Sequence, residues 1–263
     1  MTVREARVRE VFRKQRADAP PGFFACEAAG LDWLRAADAV PVVGVVDVGP
    51  GHLDLERLAS VPPSRAAAHA LGVGLAAMHD AGAPAFGSPP DGWAGECFFG
   101  PMSDPLPMPT GRFAAWGEFY AHCRLEPIAR QGSRRGALGP DDTRLLDAVA
   151  ARLASGDWDD DDTPARLHGD LWGGNIMWTP QGATLIDPAA HGGHREADLA
   201  MLTLFGLPHL DDVIAAYQQA HPLRPGLRRR MGLHQLYPVA VHAVLFGGHY
   251  VEQMRRLAAP YAS

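Results

Sequence analysis

Lysine is almost missing from this chain: of 24 basic residues Lys14 is the only lysine, and the rest are arginine. An ammonium is a compact point charge that a guanidinium fork does not copy, so a lone lysine in an arginine-rich sequence points to a specific task. Cysteine is scarce too. Cys26, Cys97 and Cys123 make an odd count with no CxxC pair, which excludes a disulfide framework or a zinc knuckle and leaves reduced, buried thiols as the expectation. No apolar run approaches the length of about 18 residues that a membrane helix needs. Residues 1–14 alternate charged and apolar side chains and lack the apolar centre of a secretory signal. The formal charge is −6 and no Lys/Arg stripe offsets it, which excludes nucleic acid as the expected partner. These absences predict a soluble, cytoplasmic protein that engages neither membrane nor nucleic acid.

What is present is ordinary globular material. The 263 residues are 47% hydrophobic and 21% charged, enough for one large domain or two lobes sharing a cleft. Residues 3–15 partly alternate and predict a strand ending near Lys14. The segment 23–37 predicts a helix carrying Glu27, and the runs 40–48 and 52–58 predict strands. From Ser64 the period turns helical, with Leu71, Leu75 and Met78 on one face, and it stops at Gly82. Residues 82–110, dense in proline and glycine, read as a long loop. Helices are predicted over 112–130, 141–154, 209–220 and 226–257, the last kinked at Pro238. The acidic run 157–162 reads as a solvated loop, and the pair in His191-Gly-Gly-His194 could suggest a metal. The resulting architecture is α+β: a small α/β front lobe over 1–58, a connector near 56–62, and a larger, mostly helical back lobe over 59–263.

One segment carries chemistry. Residues 167–178 read LHGDLWGGNIMW, and 183–188 read ATLIDP. An aspartate, an asparagine five residues on, and an aspartate closing a short apolar strand are what phosphoryl transfer from a nucleotide requires in the kinase fold. Asp170 would accept the substrate hydroxyl's proton, and Asn175 and Asp187 would hold Mg²⁺ against the phosphates. Magnesium takes hard oxygen ligands and few of them from protein, so one amide and one carboxylate suffice. The same scheme needs a strand lysine on the phosphates and a helix glutamate to fix it. Lys14 and Glu27, thirteen residues apart, are placed for those roles.

Together these residues resemble the fructosamine (ketosamine) kinases, relatives of the aminoglycoside phosphotransferases. The likeness is tightest in HGDLWGGN, where Trp172 is more particular to fructosamine kinases. It continues through LIDPAAHGGHREADLAMLTLFG (185–206), AYQQAHPL (216–223), HQLYPVAVHAVLFGGHY (234–250) and, upstream, FFACEAAGLDWL (23–34), LGVGLAAMH (71–79) and WGEFYAHCRLEP (116–127). The resemblance implies a protein-kinase-like, two-lobed fold with ATP as donor and Mg²⁺ as cofactor. It implies phosphate transfer to a sugar hydroxyl of a small-molecule or protein-bound ketoamine, C3 of the ketose in many members, after which the adduct leaves the amine: a deglycation.

It also implies that Lys14 binds phosphate with Glu27 fixing it, and that the backbone of 54–58, Glu56 and Leu58 included, hydrogen-bonds adenine. Trp172 would contact substrate, with Arg195 and Glu196 bordering the acceptor side, while His168 and Asp198 would support the catalytic loop, and the resemblance makes His191-Gly-Gly-His194 an ordinary loop and not a metal site. The family carries a glycine-containing turn over the phosphates. Here the thirteen residues before Lys14 contain no glycine, so the expectation is a front lobe trimmed at its N-terminus or a start upstream of Met1. Two other readings stand beside the ketoamine kinase: a kinase of aminoglycoside-like or choline-like small molecules, and a nucleotide-binding pseudokinase without the lid.

Overall fold

The computed structural model describes residues 10–263. It opens with strand β1 (Val11–Gln15), helix α1 (Phe23–Arg35) and strands β2 (Val45–Gly49) and β3 (His52–Glu56). The expected strand over 3–15 is therefore seen from Val11, and residues 3–9 lie outside the described range. The three strands form an antiparallel sheet in the order β1-β3-β2, with Lys14 opposite Leu53. Phe24, Ala28 and Leu31, spaced four and three apart along one face of α1, close a small core with Val43, Leu53 and Leu55. The run 40–48 becomes a sheet strand only at Val45. Its first half turns to the back of the molecule, where Val43 N–H donates to Leu185 O at 3.0 Å.

Helix α2 (Arg65–Asp80) starts where the sequence placed it, Ser64 capping the Ala67 N–H at 3.2 Å. The Pro/Gly-rich stretch that follows is not all loop: it contains a hairpin of β4 (Cys97–Phe99) and β5 (Leu106–Met108). Next come α3 (Trp116–Tyr120), a single π turn (Ala121–Leu125), α4 (Glu126–Arg134) and α5 (Pro140–Ala154). The π turn has a local cause. Pro127 has no N–H for the Cys123 carbonyl, which accepts from Arg124 Nη1 at 2.9 Å instead.

Four short strands then make two pairs. β6 (Ala165–Leu167) pairs with β9 (His191–Gly193), and β7 (Ile176–Thr179) with β8 (Gly182–Leu185). His191–Gly193 is thus a buried strand and not the loop expected there. Helices α6 (Glu196–Phe205), α7 (Leu210–Ala220), α8 (Leu227–Phe246) and α9 (His249–Ala258) complete the chain. The expected 226–257 helix is two helices. It continues through Pro238, where the Tyr120 hydroxyl enters the ladder, accepting from Tyr237 N–H at 3.0 Å and donating to Leu233 O at 2.9 Å. It breaks at Gly247-Gly248, with φ of 62° and 57°, a conformation glycine adopts at no steric cost.

The acidic run is also unlike its expectation. Asp159 accepts from Gly117 N–H at 2.7 Å, Asp160 meets His194 Nε2 at 3.2 Å and Arg224 at 2.7 Å, and Asp162 meets Arg195 Nε at 2.9 Å. A run that looks solvated is docked because its counter-charges arrive from distant parts of the chain. Of the three thiols, Cys97 and Cys123 are buried, Cys26 is half-buried, and none is bonded.

Candidate active site

The β7–β8 hairpin sets the spacing of the two candidate metal ligands. Asn175 immediately precedes β7 and Asp187 follows β8 by two residues. Ile176 and Leu185 face each other across the pair, and Ile186 N–H donates to Asn175 O at 3.1 Å, which holds the two ends of the hairpin side by side. Asp187 has φ of 54°, a left-handed conformation uncommon outside glycine and of the kind that clusters at functional sites.

The catalytic-loop segment leaves β6 through Gly169, whose φ is 82°; a Cβ there would lie 2.1 Å from Ala189 O, so no other residue fits. Asp198, in the first turn of α6, accepts from the N–H groups of His168 at 2.8 Å and Gly169 at 2.9 Å and lies 3.2 Å from His79 Nε2. Burial opposes the Asp198 charge, but His79 and the backbone donors hold its pKa below the usual carboxylate value. His168 Nε2 donates to Ile186 O at 2.9 Å while Nδ1 accepts from Asp170 N–H at 3.2 Å, and burial lowers its pKa and keeps the ring neutral. Both residues are buried supports behind the loop.

Asp170 is held differently. Asn175 Nδ2 donates to its carbonyl at 2.8 Å and its carboxylate at 3.0 Å, and no cation among the described residues pairs with it. Burial pushes its pKa up to about 7; the Asn175 amide opposes the shift and the charges of Asp187 and Asp198 add to it. Lys14 reaches in from β1, its Nζ at 2.7 and 2.8 Å from the two oxygens of Glu27 on α1 and 3.2 Å from Asp187 Oδ1. Burial works against the ammonium, yet the two carboxylates outweigh it and raise the Lys14 pKa above its ordinary value. The lone lysine therefore ties the front sheet and α1 to the hairpin.

Lys14, Glu27, Asp170, Trp172, Asn175 and Asp187 all line one cleft of about 870 Å³. The oxygens there suit magnesium. Asn175 spends its amide nitrogen on Asp170, so its Oδ1 is left without a donor among the described residues, and the Asp187 side chain is 42% exposed.

Glu56 and Leu58 do not line this cleft. Glu56 closes β3 with its N–H on Gly44 O at 2.8 Å, while Leu58 leans on the front core and its N–H finds no backbone acceptor among the described residues. Arg195 and Glu196 are not at the acceptor side either. Both are buried, Arg195 between Asp80 at 2.8 Å and Asp162, and Glu196 in a fork from Arg230 at 2.5 and 2.8 Å. His194, Glu196 and His234 come close enough to suggest a metal. The Arg230 fork already neutralises that carboxylate, and His194 accepts from Glu196 N–H at 3.1 Å.

Sequence reasoning missed part of the cleft wall: Phe98 and Phe99 on the β4–β5 hairpin, Phe205 at the end of α6, and His242, Phe246 and Tyr250 around the α8–α9 corner. The aromatic residues flanking Gly247-Gly248, Phe246 and Tyr250, were the available signal.

A family model described as fructosamine kinase matches residues 2–261. A protein of Synechocystis sp. PCC 6803 named as a ketoamine kinase is 33% identical over 243 residues, 89% of this chain and 77% of its own. The crystal structure of a protein from Thermobifida fusca YX-ER1, described as a fructosamine-3-kinase, superposes with a TM-score of 0.85 at 46% identity, covering 95% of this chain and 85% of that one. A choline/ethanolamine kinase family protein from Mesorhizobium loti shares the fold alone, with a TM-score of 0.57 at 16% identity over 95% and 81% of the two chains. The fold is the α+β, two-lobed, protein-kinase-like one. No helix among the described residues is long and apolar enough to cross a membrane. With the cleft assembled on that fold and the family model matched almost from end to end, the chain is a kinase and belongs to the fructosamine kinase family.

Proposed function

We propose that the protein transfers the γ-phosphoryl group of ATP to a sugar hydroxyl of a ketoamine, as a cytoplasmic deglycating kinase. The observation that carries this reading is the convergence of the Lys14–Glu27 pair, Asp170, Asn175 and Asp187 on one cleft. The described part of residues 1–58 is the front lobe and 59–263 the back lobe, with ATP between them. Leu58 N–H, which has no acceptor among the described residues, is a donor for adenine at the connector that Glu56 begins. Lys14, held by Glu27, binds phosphate. Asn175 and Asp187 hold Mg²⁺, which supplies charge neutralisation on the phosphates.

Asp170 acts as the base. The acceptor oxygen bonds to the γ-phosphorus, the bond from that phosphorus to the leaving ADP oxygen breaks, and the hydroxyl proton passes to the Asp170 carboxylate. A carboxyl whose pKa lies near 7 is matched to taking that proton at neutral pH. Trp172 offers the sugar an exposed indole face and an N–H that makes no hydrogen bond within the described chain.

The test is ADP release with Mg-ATP and fructose- or ribulose-modified lysine, with unmodified lysine and an aminoglycoside as controls. Turnover confined to the glycated amines is the expected result. Equal turnover of the aminoglycoside would move the protein to the general small-molecule kinases, and ATP binding without turnover of any acceptor would make it a pseudokinase.

A further inference from the structure

Large aromatic side chains are exposed on this molecule in one place. Among the described residues Phe12, Trp172, Phe205 and Phe246 are the exposed aromatics, and all four line the cleft. Three of them form a wall with His242. Trp172 meets the Phe205 ring at 5.9 Å between centroids, Phe205 meets His242 at 5.3 Å, and His242 meets Phe246 at 5.6 Å. The wall runs from the catalytic loop to the α8–α9 corner, where Gly247 and Gly248 leave open space and Phe246 is 60% exposed. Contiguous exposed apolar surface beside a catalytic group marks a ligand contact.

Charge supports the same conclusion. The carboxylates lining the cleft are Glu27, Asp170 and Asp187, and each belongs to the phosphate and proton machinery. Burial lowers the His242 pKa, so that ring adds no cation to the wall. A charged group laid along the wall would find the cleft's carboxylates and its cations already engaged, Arg13 by Asp54 and Lys14 by Glu27, whereas an aromatic ring would bury its faces against Phe205 and Phe246.

We propose that the preferred acceptor is a ketoamine whose nitrogen carries an arylalkyl group, with the sugar at Asp170 and Trp172 and the aromatic substituent along Phe205, His242 and Phe246. The proposal rests on the ketoamine kinase reading and narrows it to a substrate class. It places selectivity in KM, because the wall touches the part of the substrate that does not react.

The experiment compares the fructose adducts of phenethylamine and of the lysine ε-amine, by ADP release and by calorimetric binding in the presence of ADP and Mg²⁺. The phenethylamine adduct is expected to have a kcat/KM about tenfold higher or more, carried by KM, with a matching difference in Kd. Phe246→Ala is expected to bring the two adducts within about twofold of each other, since truncating an exposed ring leaves the core intact. Equal or better use of the lysine adduct overturns the arylalkyl assignment while leaving the ketoamine kinase reading in place. A preference that survives Phe246→Ala overturns the wall as its cause. Failure of both adducts to turn over or bind overturns the ketoamine reading itself, and this inference with it.

Discussion

Two clusters of buried charge lie within this fold, and they are built on opposite plans. Behind the catalytic loop most of the acidic groups have a cation: Asp160 has Arg224, Asp162 and Asp80 share Arg195, and Glu196 lies in the Arg230 fork, while Asp198 is met by two backbone N–H groups and His79. In the cleft, Asp170 has none, and Asp187 shares the Lys14 ammonium with Glu27. The titration behaviour follows. Burial opposes both carboxylates, yet Arg230 and His234 bring Glu196 down to about 2, whereas Asp170 is pushed up to about 7. Charge density therefore does not mark the active site. A carboxylate kept short of partners and facing a cavity does, because only an unmet charge has anything left to offer a substrate.

The largest effect that could break this comparison is in the cleft. Asp170→Asn removes the base and keeps the shape, so kcat should fall by about 10²- to 10⁴-fold while Mg-ATP affinity holds. The fold should not suffer. An ionised Asp170 opposes folding, its folded pKa lying above the unfolded one, so at pH 8 the amide should leave the urea midpoint unchanged or raise it. Undiminished turnover would remove Asp170 from the chemistry. Glu196→Ala should show the reverse. It strands the buried end of Arg230, and the cost is about 3–5 kcal/mol of stability, as for a buried pair broken on one side. Turnover per folded molecule should stay within about twofold, because Glu196 lies outside the cleft. A Glu196→Ala variant that is stable but inactive would erase the distinction between the clusters.

The cleft was more legible in the sequence than its frame. HGDLxxxN and the strand-end Asp187 are local patterns, and the hairpin between Asn175 and Asp187 brings them together without help from the rest of the chain. Lys14 stood out by composition, and α2 by the apolar spacing that begins after Ser64. What failed to show depends on distant partners. The acidic run looked solvated because His194, Arg195 and Arg224 come from 32 or more residues later in the chain. Strands β4 and β5 are three residues each in a Pro/Gly-rich stretch, too short for a period to register. The sequence predicts a kink in the last helix at Pro238, but Tyr120 repairs the ladder there and the chain turns at two glycines instead.

Acid should sharpen the comparison further, because the back cluster also holds neutral histidines. Burial lowers His234 to about 4 and His191 to about 3, against an ordinary 6.5. The unfolded chain takes up these protons at higher pH than the folded one. Their contribution is complete above pH 6.5 and is lost as pH falls toward the folded values. Between pH 7 and pH 5, His234 alone should cost about 2 kcal/mol of unfolding free energy, and His234→Gln should flatten that slope. Glu196 works lower. Its depressed pKa holds its contribution until pH falls below the ordinary carboxylate range. Protonation of Asp170 stabilises the fold over the same range, so the slope is read in the Asp170→Asn variant; there, an unfolding free energy that is level from pH 7 to pH 5 would show that these rings are not buried neutral.

The smallest effect isolates burial from geometry. Arg135 grips Asp104 through two bonds of 2.6 and 3.0 Å, nearly the fork that Arg230 makes with Glu196. Both Arg135 and Asp104 are partly exposed, however, whereas the Glu196 side chain is 2% exposed. In water the two charges regain hydration when the pair breaks, so Arg135→Ala should cost less than about 1 kcal/mol by urea unfolding. A value close to that of Glu196→Ala would mean that hydrogen-bond geometry, and not enclosure, sets the strength of these pairs. A negligible value against a large one confirms that Glu196 stabilises the fold because it is closed off from water and met by Arg230 and His234, the condition the cleft avoids by leaving Asp170 without a cation among the described residues.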